Sequence, residues 1–189
     1  MKILVIGIKG QLARALIARR NRPGIEMVAA GRPQVDFERP TALGDLVGGT
    51  RPDLVINAAA FTAVDRAEDE VEAARAVNAT GPAALARAAA AGGIPFIHVS
   101  TDYVFDGAKG SLYDETDPVS PVNVYGRTKA EGEAAVLAAH PGALVARTSW
   151  VYAPEGVNFV RTMLKLGAER DRLRVVADQQ GRPTEAGAL

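Results

Sequence analysis

The sequence predicts an α/β fold built on a doubly wound parallel sheet, and three observations carry that prediction. Short, near-continuously apolar runs alternate with longer segments rich in Ala, Leu, Arg and Glu, as strands covered on both faces alternate with crossover helices. The first apolar run leads directly into a glycine-rich turn and then an amphipathic segment, which reads as strand, turn and helix. At 189 residues and 48% hydrophobic content, the chain fits one ordinary domain, or one domain and part of another, with enough apolar side chains for a core.

In order, "KILVIG" (2–7), "IEMVAA" (25–30), "DLVINAAA" (53–60), "IPFIHVS" (94–100) and "ALVARTS" (143–149) read as buried strands. Between them, "GQLARALIARR", "PTALGDLVGG", "EVEAARAVNATGPAALARAAAAGG" and "YGRTKAEGEAAVLAAH" read as helices. Gly81-Pro82 predicts a break that divides the long third helix in two. Gly92-Gly93 and His140-Pro141-Gly142 are helix stops. Beyond Trp150 the pattern changes: "EGVNFVRTMLKLGAE" predicts an amphipathic helix and "LRVVAD" a short strand. "QQGRPTEAGAL" then predicts a turn with no packing partner. One unit over 1–149 and a second, partial region over 150–189 follow from that change.

Charge removes several function classes. Twenty-two basic residues balance 22 acidic ones and no basic block stands out, so a nucleic-acid backbone binder is not expected. Cysteine is absent, which excludes disulfides and thiolate metal sites. His98 and His140 have no ligand-like spacing to a partner. "MKILVIG" is too short for a secretion signal, and no run approaches membrane-spanning length. A soluble cytoplasmic protein is the expectation.

The turn after the first strand, "GIKGQLA", places Gly7, Gly10 and Ala13 at three-residue intervals. Glycines there let the backbone approach a pyrophosphate, and the following helix N-terminus offers free N–H groups and partial positive charge. Ala13 is small enough for close helix–sheet packing. After the second strand, Arg32 stands where an arginine accommodates a ribose 2′-phosphate, which favours NADPH over NADH. Asp36 is expected on a next short strand, near the adenine. Within "VYGRTKAEGE", Tyr125 and Lys129 share a helix face. On spacing alone that pair is ordinary, since Lys129 has Glu133 as an equal partner, and Arg127–Glu131 repeats the pattern.

With "GIKGQLA", "NAAAFTAVDRAE", "VNATGP", "VSTDYVFDG", "PVNVYGRTKAEGE", "RTSWVY", "NFVRTML" and "DQQGRPT" in order along the chain, the sequence resembles the extended short-chain dehydrogenase/reductase family, a Rossmann-like group, and within it the dTDP-4-dehydrorhamnose reductase branch. Ala13 replaces that family's usual third glycine, and Ile8-Lys9 and Ala153 depart from its pattern. The resemblance implies reduction of dTDP-6-deoxy-L-lyxo-4-hexulose to dTDP-L-rhamnose by NADPH or NADH, a homodimer and a possible Mg²⁺ requirement, with no metal ligands legible. It extends to the regulatory subunit of methionine adenosyltransferase and to other nucleotide-sugar reductases and epimerases, which stay open as alternatives.

Residue by residue, the resemblance implies a catalytic trio of Thr101, Tyr125 and Lys129. A tyrosine near its ordinary pKa of about 10 exchanges protons poorly at neutrality, and a cation one turn away is expected to draw that value down. Ser100 is the competing hydroxyl, turned to the other face by strand alternation. On the cofactor side it implies Gly7, Gly10, Gln11, Leu12, Arg32, Asp36, Phe37, Ala58, Ala59, Ala60, Thr62 and Ser100 beside Tyr125 and Lys129. On the sugar side it implies Val64, Thr101, Asp102, Tyr103, Val104, Phe105, Asn123 and Trp150. Asn78 is placed to brace the end of the central strand. Family members continue for roughly another hundred residues, so tight cofactor binding with weak or absent turnover is expected of this chain.

Overall fold

Leu4, Val5 and Ile6 have no solvent exposure, because their strand lies inside a sheet covered on both faces. The computed structural model describes residues 1–189. Strands β1 (Lys2–Ile6), β2 (Glu26–Ala30), β3 (Leu54–Asn57), β4 (Phe96–Thr101) and β5 (Leu144–Thr148) form one sheet in the order β2-β1-β3-β4-β5. Every pairing is parallel.

Strand alternation sorts the apolar side chains. Leu4 and Ile6 face a cluster with Val35, Phe37, Leu43, Val47, Val55, Leu85, Phe96 and Val136. That side is covered by α2 (Pro40–Thr50), α5 (Gly81–Ala91) and α6 (Val124–Ala139). Ile3 and Val5 face Ala13 and Leu16 of α1 (Gln11–Ala18). Helices on both faces give the doubly wound arrangement. No helix is long and apolar enough to cross a membrane.

Several expectations are corrected. Gly81-Pro82 does not divide the long helical stretch. After α3 (Val64–Asp69), absent from the sequence reading, α4 (Val71–Arg75) runs through a π turn at Ala76–Thr80 into α5, with right-handed helical dihedrals at Arg75, Ala76, Thr80 and Gly81. Proline removes one N–H donor, and a π turn just before it shifts the bonding pattern without breaking the helix. Gly81 N–H reaches Ala76 O there.

"LRVVAD" forms no strand: Val175 and Val176 are 49% and 68% exposed, and β-branched residues with no neighbouring edge have nothing to pair with. The last residues, conversely, do find a partner. β7 (Thr184–Glu185) pairs in parallel with β6 (Val151–Tyr152), Ala186 is buried, and Ser149 Oγ donates to Arg182 O at 2.8 Å. The amphipathic helix is present as α7 (Phe159–Glu169), capped by Asn158 Oδ1 accepting from Arg161 N–H. Asp36 lies in an irregular segment just before a turn, not on a strand.

Candidate active site

Between β1 and β3 the strand order reverses, which opens a crevice at the carboxyl ends of the strands. Gly7 sits there with φ +116°, and a Cβ on it would meet the Ala58 and Ala59 backbone at 3.4 Å. Only glycine combines that dihedral with so close an approach. Gly10 then opens α1 with no side-chain cap, so the first-turn N–H groups have no side-chain acceptor.

Two adjoining cavities of ≈ 790 and ≈ 620 Å³ share Lys9, Gly10, Ala58, Ala59, Ala60 and Thr62. Gln11, Leu12, Val64, Ser100, Thr101, Asp102, Tyr103, Tyr125, Lys129 and Trp150 line the larger. Gly7, Arg32 and Phe37 line the smaller. Residues from six segments of the sequence thus converge on one cleft. Trp150 holds φ +47°, a conformation a tryptophan adopts only under constraint. The tail supplies that constraint, for a Cβ on Gly181 would lie 2.7 Å from the indole.

Four expected site residues lie elsewhere. Asp36 pairs with Arg39 at 3.4 Å and accepts from Glu38 N–H at 3.0 Å. Val104 is fully buried in the short turn after β4. Phe105 stacks on Tyr113 at 4.1 Å beneath the Arg147 guanidinium at 4.9 Å. Asn123 caps α6, its Oδ1 accepting from Gly126 N–H at 2.7 Å. Sequence reasoning did not assign Thr148, Phe159 or Lys9 to the cleft. Thr148 ends β5 beside Thr101, so the strand-end rule applied to the last strand would have found it. Asn78 braces the loop after β3: its Oδ1 accepts from Phe61 N–H at 2.8 Å and its Nδ2 donates to Thr128 Oγ1 at 3.1 Å.

Thr101 Oγ1 donates to Asp102 at 3.1 Å and accepts from Tyr103 N–H at 3.2 Å. Tyr125, largely buried, meets the Tyr103 ring edge-on at 5.4 Å. Lys129 Nζ donates to Val99 O at 2.7 Å and lies 3.3 Å from His98 Nε2. The expected lowering of the tyrosine is therefore corrected. Burial pushes the Tyr125 phenol up, with Thr101 opposing and the Asp102 charge adding to the rise, while Lys129 directs its amine into β4. Burial also lowers Lys129 to about 8, against an opposing pull from Glu133. Ser100 Oγ and Thr148 Oγ1 are buried without a partner. No group of three or more His, Cys, Asp or Glu side chains is placed to hold a metal ion.

The lowered lysine makes stability depend on pH. An unfolded chain carries Lys129 with its ordinary affinity, so from about pH 8 to 10.5 it binds more protons than the folded chain. Folding stability from this group therefore rises with pH across that window. Urea unfolding is expected to shift to higher midpoint between about pH 8 and about pH 9.5, and Lys129→Met is expected to flatten the response.

The RmlD substrate binding domain model matches residues 1–189. The chain belongs to the RmlD substrate binding domain family. Over 98% of its length it is 50% identical to a dTDP-4-dehydrorhamnose reductase of Sinorhizobium fredii, of which it covers 62%. A crystal structure of the reductase from Clostridium acetobutylicum superposes with TM-score 0.95 at 41% identity, over 99% of this chain and 66% of that one. The Bacillus anthracis reductase, solved in complex with NADP, gives 0.92 at 37% identity, over 98% and 66%. This RmlD-family chain therefore spans somewhat under two thirds of the length of those relatives. The family match runs through both the five-stranded sheet and the segment beyond Trp150.

Proposed function

We propose that the chain is the nucleotide-binding and catalytic part of an NADPH-dependent dTDP-4-dehydrorhamnose reductase. The observation that carries this is convergence: Thr101, Tyr125 and Lys129 line the same cleft as the glycine turn. The cleft fits a dinucleotide by its uncapped helix N-terminus, the glycine crossing over Ala58, and two orphaned hydroxyls that need partners. The turn from Gly7 through Leu12 would hold the pyrophosphate, Arg32 the adenosine end, and Ser100 and Lys129 the nicotinamide end. Bound NADPH would supply hydride to the carbonyl carbon of dTDP-6-deoxy-L-lyxo-4-hexulose.

The chain supplies the rest. Tyr125, kept protonated by burial, gives its phenolic proton to the sugar oxygen as that oxygen gains charge. Thr101 would turn its one hydroxyl proton from Asp102 to the same oxygen and hold it in reach. Asp102, Tyr103, Val64 and Trp150 form the wall on which the sugar would lie. The product is dTDP-L-rhamnose, for cell-surface polysaccharide. A homodimer in the cytoplasm, where nucleotide sugars are made, belongs to the same reading.

NADPH oxidation with that ketosugar, followed beside an NADPH fluorescence titration, tests the assignment. Sugar-dependent oxidation supports it, and an absence of both oxidation and NADPH binding would refute it. Arg32→Glu is expected to weaken NADPH at least tenfold and NADH much less, because a carboxylate there repels only the 2′-phosphate. Equal loss for both dinucleotides would remove Arg32 from the adenosine end.

A further inference from the structure

Lys129, His98 and Asn57 form a file of polar side chains beneath the cleft, passing from α6 through β4 to β3. Asn57 and His98 are fully buried and Lys129 is 1% exposed. Asn57 Nδ2 lies 3.0 Å from His98 Nδ1, and His98 Nε2 lies 3.3 Å from Lys129 Nζ. Both ends are anchored: Ala59 N–H donates to Asn57 Oδ1 at 3.2 Å, and Lys129 donates to Val99 O at 2.7 Å.

The donor count along this file has one solution. A backbone N–H can only donate, so Asn57 keeps its oxygen toward Ala59 and its NH₂ toward His98. His98 Nδ1 must then accept, which leaves the single proton of a neutral imidazole on Nε2, facing Lys129. An ammonium has three donors and no acceptor, and cannot receive that proton. A neutral amine can: one N–H serves Val99 O and the lone pair accepts from His98. The opposite imidazole tautomer would set two donors face to face, at Asn57 or at Ala59.

Burial acts in the same direction, lowering Lys129 to about 8 and holding His98 well below its ordinary range. Glu133, one turn along α6, favours the ammonium, but its carboxylate is shared with Arg147 of β5 at 2.6 and 2.9 Å. Tyr125 on the preceding turn stays protonated. Asp102, beside it, is raised by burial although Thr101 hydrogen-bonds it.

We propose that Asn57 and His98 are positioning residues that favour the neutral amine of Lys129 in the ligand-free chain, so that in mildly alkaline solution Lys129 takes a proton from solvent when an anionic dinucleotide fills the cleft. The first half needs no ligand. The second rests on the cofactor reading above.

Magnetic resonance on the ligand-free chain tests the first half. The ¹⁵N shifts of His98 are expected to show a bare Nδ1 and a protonated Nε2, and the reverse tautomer would overturn the proposal. With ¹³C-labelled lysine, Lys129 is expected to titrate near pH 8, well below the other lysines. His98→Gln offers the ammonium an amide oxygen, and Asn57→Asp accepts from Nδ1–H and reverses the tautomer. Each is expected to raise the Lys129 midpoint by a unit or more, a tenfold gain in proton affinity. A midpoint shared with the surface lysines, or unmoved in whichever variant folds, would overturn the assignment.

Calorimetric titration of NADP at about pH 8.5, in two buffers of different ionisation heat, tests the second half. Uptake of roughly half a proton or more per dinucleotide is expected, and less in His98→Gln. Binding without uptake would overturn the coupling. No binding would overturn the cofactor reading and leave the magnetic resonance result standing by itself.

Discussion

Gly132→Ala is expected to cost about 3 kcal/mol of folding stability, at the upper end of ordinary overpacking, and to lower the unfolding midpoint by roughly 6–12 °C in a chain of this size. A Cβ built on Gly132 lies 2.0 Å from Asn78 O, 3.1 Å from its carbonyl carbon and 3.3 Å from Ala79 Cα. All three are backbone atoms of the π turn, so no side chain can rotate away. Nor can the turn slide, because the Asn78 side chain is tied to Phe61 N–H and Thr128. Relief requires moving α6, which carries Tyr125 and Lys129, so dinucleotide affinity should fall with stability. Gly44→Ala is the matched control: it too sits inside a helix, but nothing lies within 4 Å of its new Cβ. It should gain roughly 0.5–1 kcal/mol from helix propensity and a less flexible unfolded chain. A Gly132→Ala protein melting within 2 °C of the parent, read as roughly the noise of a surface change, would mean that α6 does not pack on the π turn as described.

That contact marks where sequence reading stops. The five sheet strands were legible because strands covered on both faces must be apolar along their whole length, and "KILVIG" or "IPFIHVS" has no other use for such a run. The glycine turn was legible for a similar reason, since Gly7 occupies a dihedral open to few other residues. The π turn was not, because Gly81-Pro82 looks the same whether a helix stops there or widens. β7 was hidden because a two-residue strand is defined by its neighbour: Thr184–Glu185 is a strand only where Val151–Tyr152 lies beside it.

The cleft divides the same way. Tyr125 and Lys129 are four residues apart, and a helix alone brings them to one face. The Lys129–His98 contact joins α6 to a strand 31 residues earlier, and His98–Asn57 spans 41 more. Spacing says nothing about such contacts, so His98 read as a histidine without a partner. The family resemblance implies Val104 and Phe105 on the sugar side. The short turn that follows β4 directs them into the core and under Arg147 instead.

Tyr125→Phe is expected to reduce whatever ketosugar turnover this chain supports by about 10²- to 10⁴-fold, the range for losing a positioned general acid, with NADPH affinity unchanged. The substitution removes one oxygen and little else. The ring keeps its edge-on contact with Tyr103 and its packing against Ala67, Ala74 and Val124. Thr101 is not orphaned, for it retains Asp102 and the Tyr103 N–H as partners. Loss should therefore fall on kcat with KM little changed, as for an interaction made only in the transition state. Lys129→Met is expected to differ in kind: it removes a group proposed to hold the nicotinamide end, so NADPH affinity should drop along with turnover. Comparing kcat, KM and NADPH affinity across the two variants separates the roles. Turnover of Tyr125→Phe within tenfold of the parent would take the proton donor away from Tyr125.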